Sequence, residues 1–257
     1  IISVMHPRVA PAAVTARLAL SALLLVPAAT SRAAGEAVPP VVSGGWLEPR
    51  LGSAEIVLLD ARPLREFLAS HLPGARSVAV ESLRATRGGI PATLHPPELL
   101  GAVFAGAGVT PRAHVVVYGA ESDVDATYVA TAARVAGATR VSVLDGGFAR
   151  WSADLRPVRV ERTRFPVPVA RLRGERRLVI DLEEVAKRVR DGRTVLLDVR
   201  QAAQWAKERI PGAKNRPWKA DVSDGLFRPA DRLRADYEAA GVSWEKPVVV
   251  YCNSGHQ

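Results

Sequence analysis

The stretch Val57–Arg62 (VLLDAR) decides the fold, because it returns almost unchanged as Val195–Arg200 (VLLDVR). The turn that follows it, Pro73–Ala75 (PGA), returns as Pro211–Ala213 at the same spacing of 138 residues. A short apolar run of this kind is typical of a buried parallel strand. The repetition indicates that one structural unit is present twice.

Two further segments repeat in the same order. Gly108–Thr110 returns as Gly241–Ser243, and Val115–Tyr118 returns as Val248–Tyr251. Their spacing is 133 residues, so the second copy is five residues shorter between the turn and these segments. Four motifs that repeat in order indicate a tandem duplication.

Each copy alternates short β-branched runs with helical patterns. Strands are predicted at Glu55–Asp60, Val115–Tyr118 and Val141–Leu144. Helices are predicted at Pro63–Ser70, Pro97–Ala107, Tyr128–Val135, Glu183–Arg190 and Ala230–Ala240. This alternation predicts an α/β fold in which each copy is a small doubly wound parallel sheet flanked by helices, with functional residues at the carboxyl ends of the strands.

We place the first domain at residues 38–157 and the second at residues 158–257, with a Pro- and Arg-rich linker from about Leu155 to Arg176. The second copy stops six residues after Tyr251, where the first copy continues with a further helix and strand. By analogy, roughly 30–40 residues are missing from the second domain. We therefore expect an incomplete second domain with an open sheet edge, and poor expression of the chain as given.

The composition excludes several classes of site. The chain has 257 residues, of which 48% are hydrophobic and 24% charged, as in globular proteins. Cys252 is the single cysteine, so multi-cysteine zinc sites, iron–sulfur clusters and internal disulfides are excluded. The net charge of +9 comes from scattered Arg residues with few aromatic residues among them, so no nucleic-acid partner is predicted. The dispersed histidines indicate no metal site; they include His71, His95 and His114.

The amino-terminal segment has the pattern of an export signal. His6–Arg17 is basic and contains no acid, Leu18–Val26 is a short apolar core, and Ser31–Ala33 fits a signal-peptidase site. The apolar run is shorter than the roughly 20 residues that a transmembrane helix needs. We expect residues 1–34 to be a signal peptide cleaved near Ala33 or Ala34, with an uncleaved anchor as the alternative, and a periplasmic or secreted protein.

Cys252 occupies a favourable position for anion chemistry. It follows the predicted strand Pro247–Tyr251 and precedes the turn-forming run Asn253–Gln257. A loop between a strand and a helix directs backbone N–H groups inward, which stabilises a thiolate and binds an anionic group. Position alone is equally compatible with a buried structural cysteine.

The first copy differs at the equivalent position. Gly119 stands where the second copy has Cys252, and the loop behind it carries Glu121, Asp123 and Asp125. These acids oppose the binding of an anionic substrate. The asymmetry predicts that the first copy is a structural partner and favours Cys252 as a nucleophile.

These motifs resemble the tandem rhodanese-domain sulfurtransferases over about residues 40 to 257. The resemblance rests on the Leu-Leu-Asp-x-Arg strand ends, the Pro-Gly-Ala turns, Leu144–Phe148 (LDGGF) with Trp151, and Tyr251-Cys252. In that family the first domain is typically inactive and the second carries the cysteine in a six-residue loop. The resemblance implies that catalytic Cys252 takes a sulfane sulfur from thiosulfate or 3-mercaptopyruvate and passes it to cyanide or another thiophilic acceptor.

The resemblance also implies which groups bind the substrate. The five loop residues after Cys252 would bind the donor and hold the persulfide with their backbone amides. These residues are Asn253, Ser254, Gly255, His256 and Gln257. The reaction would need no metal and no organic cofactor, and its partners would be a small anionic sulfur donor and a thiophilic acceptor. We expect the protein to be a monomer.

The sequence does not identify which of the two compounds is the sulfur donor. The loop lacks the Arg-Lys pair associated with thiosulfate enzymes and the Gly-Ser-Gly-Val-Thr sequence associated with mercaptopyruvate enzymes. Gln204 stands where family members often place a substrate-binding Arg. Lys207, Arg209 and Arg216 are candidate replacements for that arginine.

Asp198 and Arg200 are candidates for a supporting role in which they organise the loop around Cys252. The matching Asp60 and Arg62, in the copy without a cysteine, favour a structural ion pair shared by both copies.

Two functions of other classes compete with a sulfurtransferase. One is a persulfide carrier or redox-sensing module in which Cys252 acts on a protein partner without turnover. The other is a Cys-dependent phosphatase, whose phosphate-binding Arg would be residue 258, one position beyond the end of the sequence.

Overall fold

The computed structural model describes residues 2–5, 38–161, 165 and 172–253. Most of the predicted signal peptide, including the expected cleavage site at Ala33 or Ala34, lies outside the described residues. The same holds for four of the candidate substrate-binding residues, Ser254, Gly255, His256 and Gln257. None of the helices in the described ranges is long and apolar enough to cross a membrane.

The strands of the chain up to the linker are β1 (Ile2–Met5), β2 (Val41–Val42), β3 (Ile56–Asp60), β4 (Arg76–Ser77), β5 (Arg84–Arg87), β6 (Ile90–Leu94), β7 (His114–Tyr118) and β8 (Arg140–Leu144). The helices are α1 (Gly44–Leu47), α2 (Leu64–Ala69), α3 (Pro97–Gly106), α4 (Val124–Val135) and α5 (Gly147–Ala153). The first sheet is parallel throughout, in the order β2-β8-β7-β3-β4. The predicted strands and helices of this copy are confirmed.

The central strand β7 explains why the sheet is covered on both faces. All five of its residues are buried. Val115 and Val117 belong to one hydrophobic cluster, with residues of α3 and α4, whereas Val116 and Tyr118 belong to a second cluster, with residues of α1, α2 and α5. Alternate side chains of a strand point to opposite faces, so two helical layers enclose the sheet. The predicted fold class is confirmed.

The second copy contains β9 (Val195–Asp198), β10 (Lys214–Asn215), β11 (Val222–Ser223), β12 (Leu226–Phe227) and β13 (Val248–Tyr251), with α6 (Leu182–Asp191), α7 (Ala202–Lys207) and α8 (Ala230–Ala239). Its sheet has the order β1-β13-β9-β10. The pairs of β13 with β9 and of β9 with β10 are parallel, as predicted.

The outer edge of β13 is paired with another strand, whereas we expected the second sheet to have an open edge. In the first sheet, β7 is flanked there by the parallel strand β8. In the second sheet, β1 takes that place and runs antiparallel to β13, with Ile2 opposite Tyr251 and Met5 opposite Val248. Backbone pairing by a distant segment was not visible in the sequence pattern, because β-pairing depends on backbone groups that every residue carries.

Each copy also carries a two-stranded hairpin outside its main sheet. The first hairpin is formed by β5 and β6 and the second by β11 and β12. The first spans residues 84–94 and the second spans residues 222–227. The second hairpin is therefore five residues shorter, which accounts for the change in repeat spacing.

Candidate active site

Cys252 lies at the carboxyl end of the second sheet. It directly follows β13, which runs parallel to β9 so that Tyr251 is opposite Asp198. The cysteine is half-buried, and its neighbour Asn253 is exposed. This is the edge at which parallel α/β sheets place their functional groups, and the structure brings Cys252, Asn253, Asp198 and Arg200 together there.

A buried ion pair supports this edge. The Arg200 guanidinium donates from Nε to Oδ1 of Asp198 over 3.0 Å and from Nη2 to Oδ2 over 2.7 Å. Burial alone would raise the pKa of Asp198, but the hydrogen bonds from Arg200 outweigh it and hold that pKa below its usual value. The Tyr251 hydroxyl accepts a hydrogen bond from the N–H of Ile210 over 3.2 Å, and burial raises the pKa of Tyr251.

The first copy repeats this arrangement. Arg62 donates from Nη2 to Oδ2 of Asp60 over 2.6 Å, and the Tyr118 hydroxyl donates to the same oxygen over 2.6 Å. Asp60 is fully buried, as Asp198 is. The structure therefore shows the ion pair in both copies, which is what the sequence comparison favoured.

Arg200 and Arg62 differ in the group that each contacts besides its aspartate. In the second copy, Arg200 donates from Nη1 to Oδ1 of Asn253 over 3.3 Å. In the first copy, the Arg62 guanidinium lies over the Phe148 ring, 3.8 Å from its centroid. Only the contact of Arg200 with Asn253 joins an ion pair to the loop that follows the cysteine. Arg200 is thus positioned both to stabilise the fold and to orient Asn253.

The loop of the first copy holds an anion of its own. Oδ2 of Asp123 accepts hydrogen bonds from the backbone N–H groups of Ala120, over 2.9 Å, and Glu121, over 3.3 Å. Oδ1 of Asp123 caps α4 by accepting from the N–H of Ala126 over 3.0 Å. Of the three acids in the loop, Asp123 is therefore the one that fills its amide cradle.

Asp123 also occupies the space that a cysteine would need. A Cβ atom added at Gly119, the position equivalent to Cys252, would lie 2.2 Å from Oδ1 of Asp123. That separation is far below van der Waals contact. The first copy therefore lacks the thiol, would need Asp123 to move in order to hold one, and satisfies loop amides with its own carboxylate.

The comparisons with known proteins decide the family. The model of the rhodanese-like domain matches this chain twice, over residues 43–154 and 181–257. The chain belongs to the rhodanese-like family.

Curated rhodanese-like relatives extend over most of the chain. A putative thiosulfate sulfurtransferase of Synechococcus elongatus is 30% identical, with 93% of this chain and 81% of the relative covered. The 3-mercaptopyruvate sulfurtransferase of Escherichia coli is 28% identical, with 83% and 84% covered. The crystal structure of a 3-mercaptopyruvate sulfotransferase from Escherichia coli superposes with a TM-score of 0.75 at 27% identity, covering 85% of this chain and 89% of that one.

Two of the three candidate replacement cations, Arg216 and Arg209, contact other side chains of the second rhodanese-like domain. Arg216 donates from Nη2 to Asp221 over 2.7 Å and to Asp236 over 3.3 Å. Arg209 lies over the Trp205 ring, 4.4 Å from its centroid. These contacts are structural. They give no support to either arginine as a replacement for the substrate-binding arginine whose usual position is occupied by Gln204.

Sequence reasoning missed Tyr128 of the first rhodanese-like domain, whose phenol interacts electrostatically with Cys252 of the second. Tyr128 on α4 is buried, and burial raises its pKa to about 12. The guanidinium of Arg84 lowers that pKa and Cys252 raises it, so the phenol is within electrostatic reach of both groups.

No group of three or more His, Cys, Asp or Glu side chains in the described ranges is arranged to hold a metal ion.

Proposed function

We propose that this protein is a sulfurtransferase that moves a sulfane sulfur from thiosulfate or 3-mercaptopyruvate to cyanide or another thiophilic acceptor through a Cys252 persulfide. The observation that carries the proposal is the placement of Cys252 at the carboxyl end of β13, beside the Asp198–Arg200 pair. The names of the relatives support the same reaction class.

The first half of the reaction loads sulfur onto the enzyme. The Cys252 thiolate attacks the outer sulfur of thiosulfate, the sulfur–sulfur bond breaks, and sulfite leaves with the bonding electrons. With 3-mercaptopyruvate the carbon–sulfur bond breaks instead, and the pyruvate enolate leaves and is protonated. Both donors are anions, so positive charge and N–H donors near Cys252 favour their binding.

The second half returns the thiolate. The carbon of cyanide attacks the outer sulfur of the persulfide, the sulfur–sulfur bond to Cys252 breaks, and thiocyanate leaves. Each half replaces one bond to sulfur with another, so no external oxidant or reductant is consumed. In this scheme Arg200 orients the loop through Asn253.

The donor is identified by steady-state kinetics. We expect the wild-type protein to form thiocyanate from cyanide with thiosulfate, with 3-mercaptopyruvate, or with both, and we expect kcat/KM to differ between the donors. The measurement compares the two rates under identical conditions, with Cys252→Ser as the background. Rates that do not exceed this background with either donor would overturn the proposed function.

We also propose that residues 1–34 direct export and that the mature protein acts as a monomer in the periplasm or outside the cell. The basic segment before Leu18–Val26 supports export. Cleavage would also remove β1 and open the outer edge of β13. After expression in a Gram-negative host, we expect a periplasmic protein that begins near Ala33 or Ala34 and elutes as a monomer. A cytoplasmic product that retains the signal, or a stable dimer, would contradict this proposal.

A further inference from the structure

Asn215 lies next to the buried ion pair of the second domain. It is the last residue of β10 and stands opposite Asp198 in the parallel pair with β9. In the first domain, Ser77 is the last residue of β4 and stands opposite Asp60 in the same register. The two copies therefore carry an amide and a hydroxyl at equivalent positions beside equivalent aspartates.

The side-chain amide of Asn215 clamps the turn that follows β9. Its Nδ2 donates to the carbonyl oxygen of Asp198 over 2.9 Å and to that of Arg200 over 3.0 Å. Both partners are acceptors, so only one orientation of the amide satisfies them, and it uses both hydrogens of the nitrogen. One side chain therefore holds both ends of the turn from Asp198 to Arg200.

Backbone groups complete this clamp. The N–H of Arg216 donates to the carbonyl oxygen of Asp198 over 3.0 Å, and the N–H of Trp218 donates to that of Val199 over 3.0 Å. All three carbonyl oxygens of the turn are therefore hydrogen-bonded to the segment that begins at Asn215.

The side chain of Ser77 cannot reproduce the clamp. A serine hydroxyl has one hydrogen to donate, so it cannot serve two carbonyl oxygens. The turn of the first domain is held at Asp60, whose carbonyl oxygen accepts from the N–H of Val78 over 2.9 Å. The aspartate–arginine ion pair forms in both domains, so its formation does not require the clamp.

The clamped turn contacts both residues that flank the thiol. Arg200 donates from Nη1 to Oδ1 of Asn253 over 3.3 Å. The N–H of Val199 donates to the carbonyl oxygen of Tyr251 over 3.1 Å. Tyr251 and Asn253 directly precede and follow Cys252, so the position of the turn determines the position of the chain around the thiol.

We propose that Asn215 is a positioning residue for the reaction at Cys252, which acts by clamping the turn that holds Arg200 against Asn253. This inference rests on the proposed function for the identity of the reaction. It gives Asn215 a role that Ser77, in the domain without a thiol, does not have.

Two substitutions separate the N–H donors of Asn215 from its size. Asn215→Ser introduces the residue of the first domain, and Asn215→Asp keeps the shape but removes both donors. We expect each variant to lower kcat/KM for the sulfur donor about tenfold, because two neutral hydrogen bonds are lost. The fall should lie mainly in kcat, since correct orientation of the thiol matters most in the transition state.

Ser77→Ala is the matched control. It changes the equivalent position of the first domain, so we expect it to alter kcat by less than about twofold. All variants are compared under conditions where urea-induced unfolding shows them to be folded. An unchanged kcat in Asn215→Ser, or an equal fall in Ser77→Ala, would overturn the inference.

A double-mutant cycle tests whether Asn215 acts through the contact of Arg200 with Asn253. Asn253→Ala removes that contact, so in this background Asn215→Ser should lower kcat/KM further by less than about threefold. If the two substitutions are fully additive, Asn215 does not act through this contact and the inference is wrong.

Amide hydrogen exchange measures the positioning without turnover. The segment around Cys252 and Asn253 should exchange at least about threefold faster in Asn215→Ser than in the wild type, and at the wild-type rate in Ser77→Ala. Equal exchange of this segment in Asn215→Ser and the wild type would overturn the inference. A wild type that transfers no sulfur but shows this difference in exchange would overturn the proposed function and leave the clamp standing.

Discussion

Replacement of Cys252 with serine is expected to reduce thiocyanate formation by about a thousandfold or more, to the rate of the uncatalysed reaction. The hydroxyl of serine is a far weaker nucleophile than a thiolate at neutral pH, and it forms no persulfide. The measurement is the initial rate with each donor at saturating cyanide.

The serine variant should keep its fold. Cys252 is half-buried, and serine differs from it by one atom. The free energy of thermal unfolding should therefore match that of the wild type within about 1 kcal/mol. A folded serine variant with more than about a tenth of the wild-type rate would show that another group carries the reaction.

Removal of the Asp198 or Asp60 carboxylate is expected to have the largest effect on stability. Each carboxylate is fully buried and paired with an arginine, Arg200 or Arg62. Asp198→Ala and Asp60→Ala each leave a buried guanidinium without its counter-ion, which costs about 3–5 kcal/mol of unfolding free energy. The measurement is urea-induced unfolding of both variants and the wild type.

The matched pair separates stability from function. The contact of Arg200 with Asn253 has no equivalent at Arg62, which lies over Phe148. Under conditions where both variants are folded, Asp198→Ala should therefore lower kcat/KM more than Asp60→Ala does. Equal kcat/KM values in the two variants would contradict the role of Arg200 at the loop. A loss of less than about 1 kcal/mol of unfolding free energy in both variants would show that the ion pairs do not stabilise this edge of the sheets.

Much of the architecture follows from the sequence because it is local and repeated. The runs Val57–Arg62 and Val195–Arg200 predict both central sheets, since apolar runs followed by turns are typical of parallel strands. The position of Cys252 after β13 follows directly from the same pattern. The pairing of Asp60 with Arg62 could also be inferred, because the residues recur together in both copies.

Other features depend on geometry that the sequence does not carry. The first-copy loop shows three acids, but only the fold reveals that Asp123 is the acid bound by the amides of Ala120 and Glu121. Backbone pairing of β1 with β13 leaves no side-chain pattern at all.

In the proposed mechanism Cys252 accepts and releases a sulfane sulfur, and an intact mass spectrum tests this most directly. The protein is exposed to thiosulfate and, separately, to 3-mercaptopyruvate, with Cys252→Ser treated alongside. We predict that at least one donor adds one sulfur atom to the wild type, that cyanide removes it, and that the serine variant gains nothing. No gain with either donor, or an equal gain in the serine variant, would contradict the account.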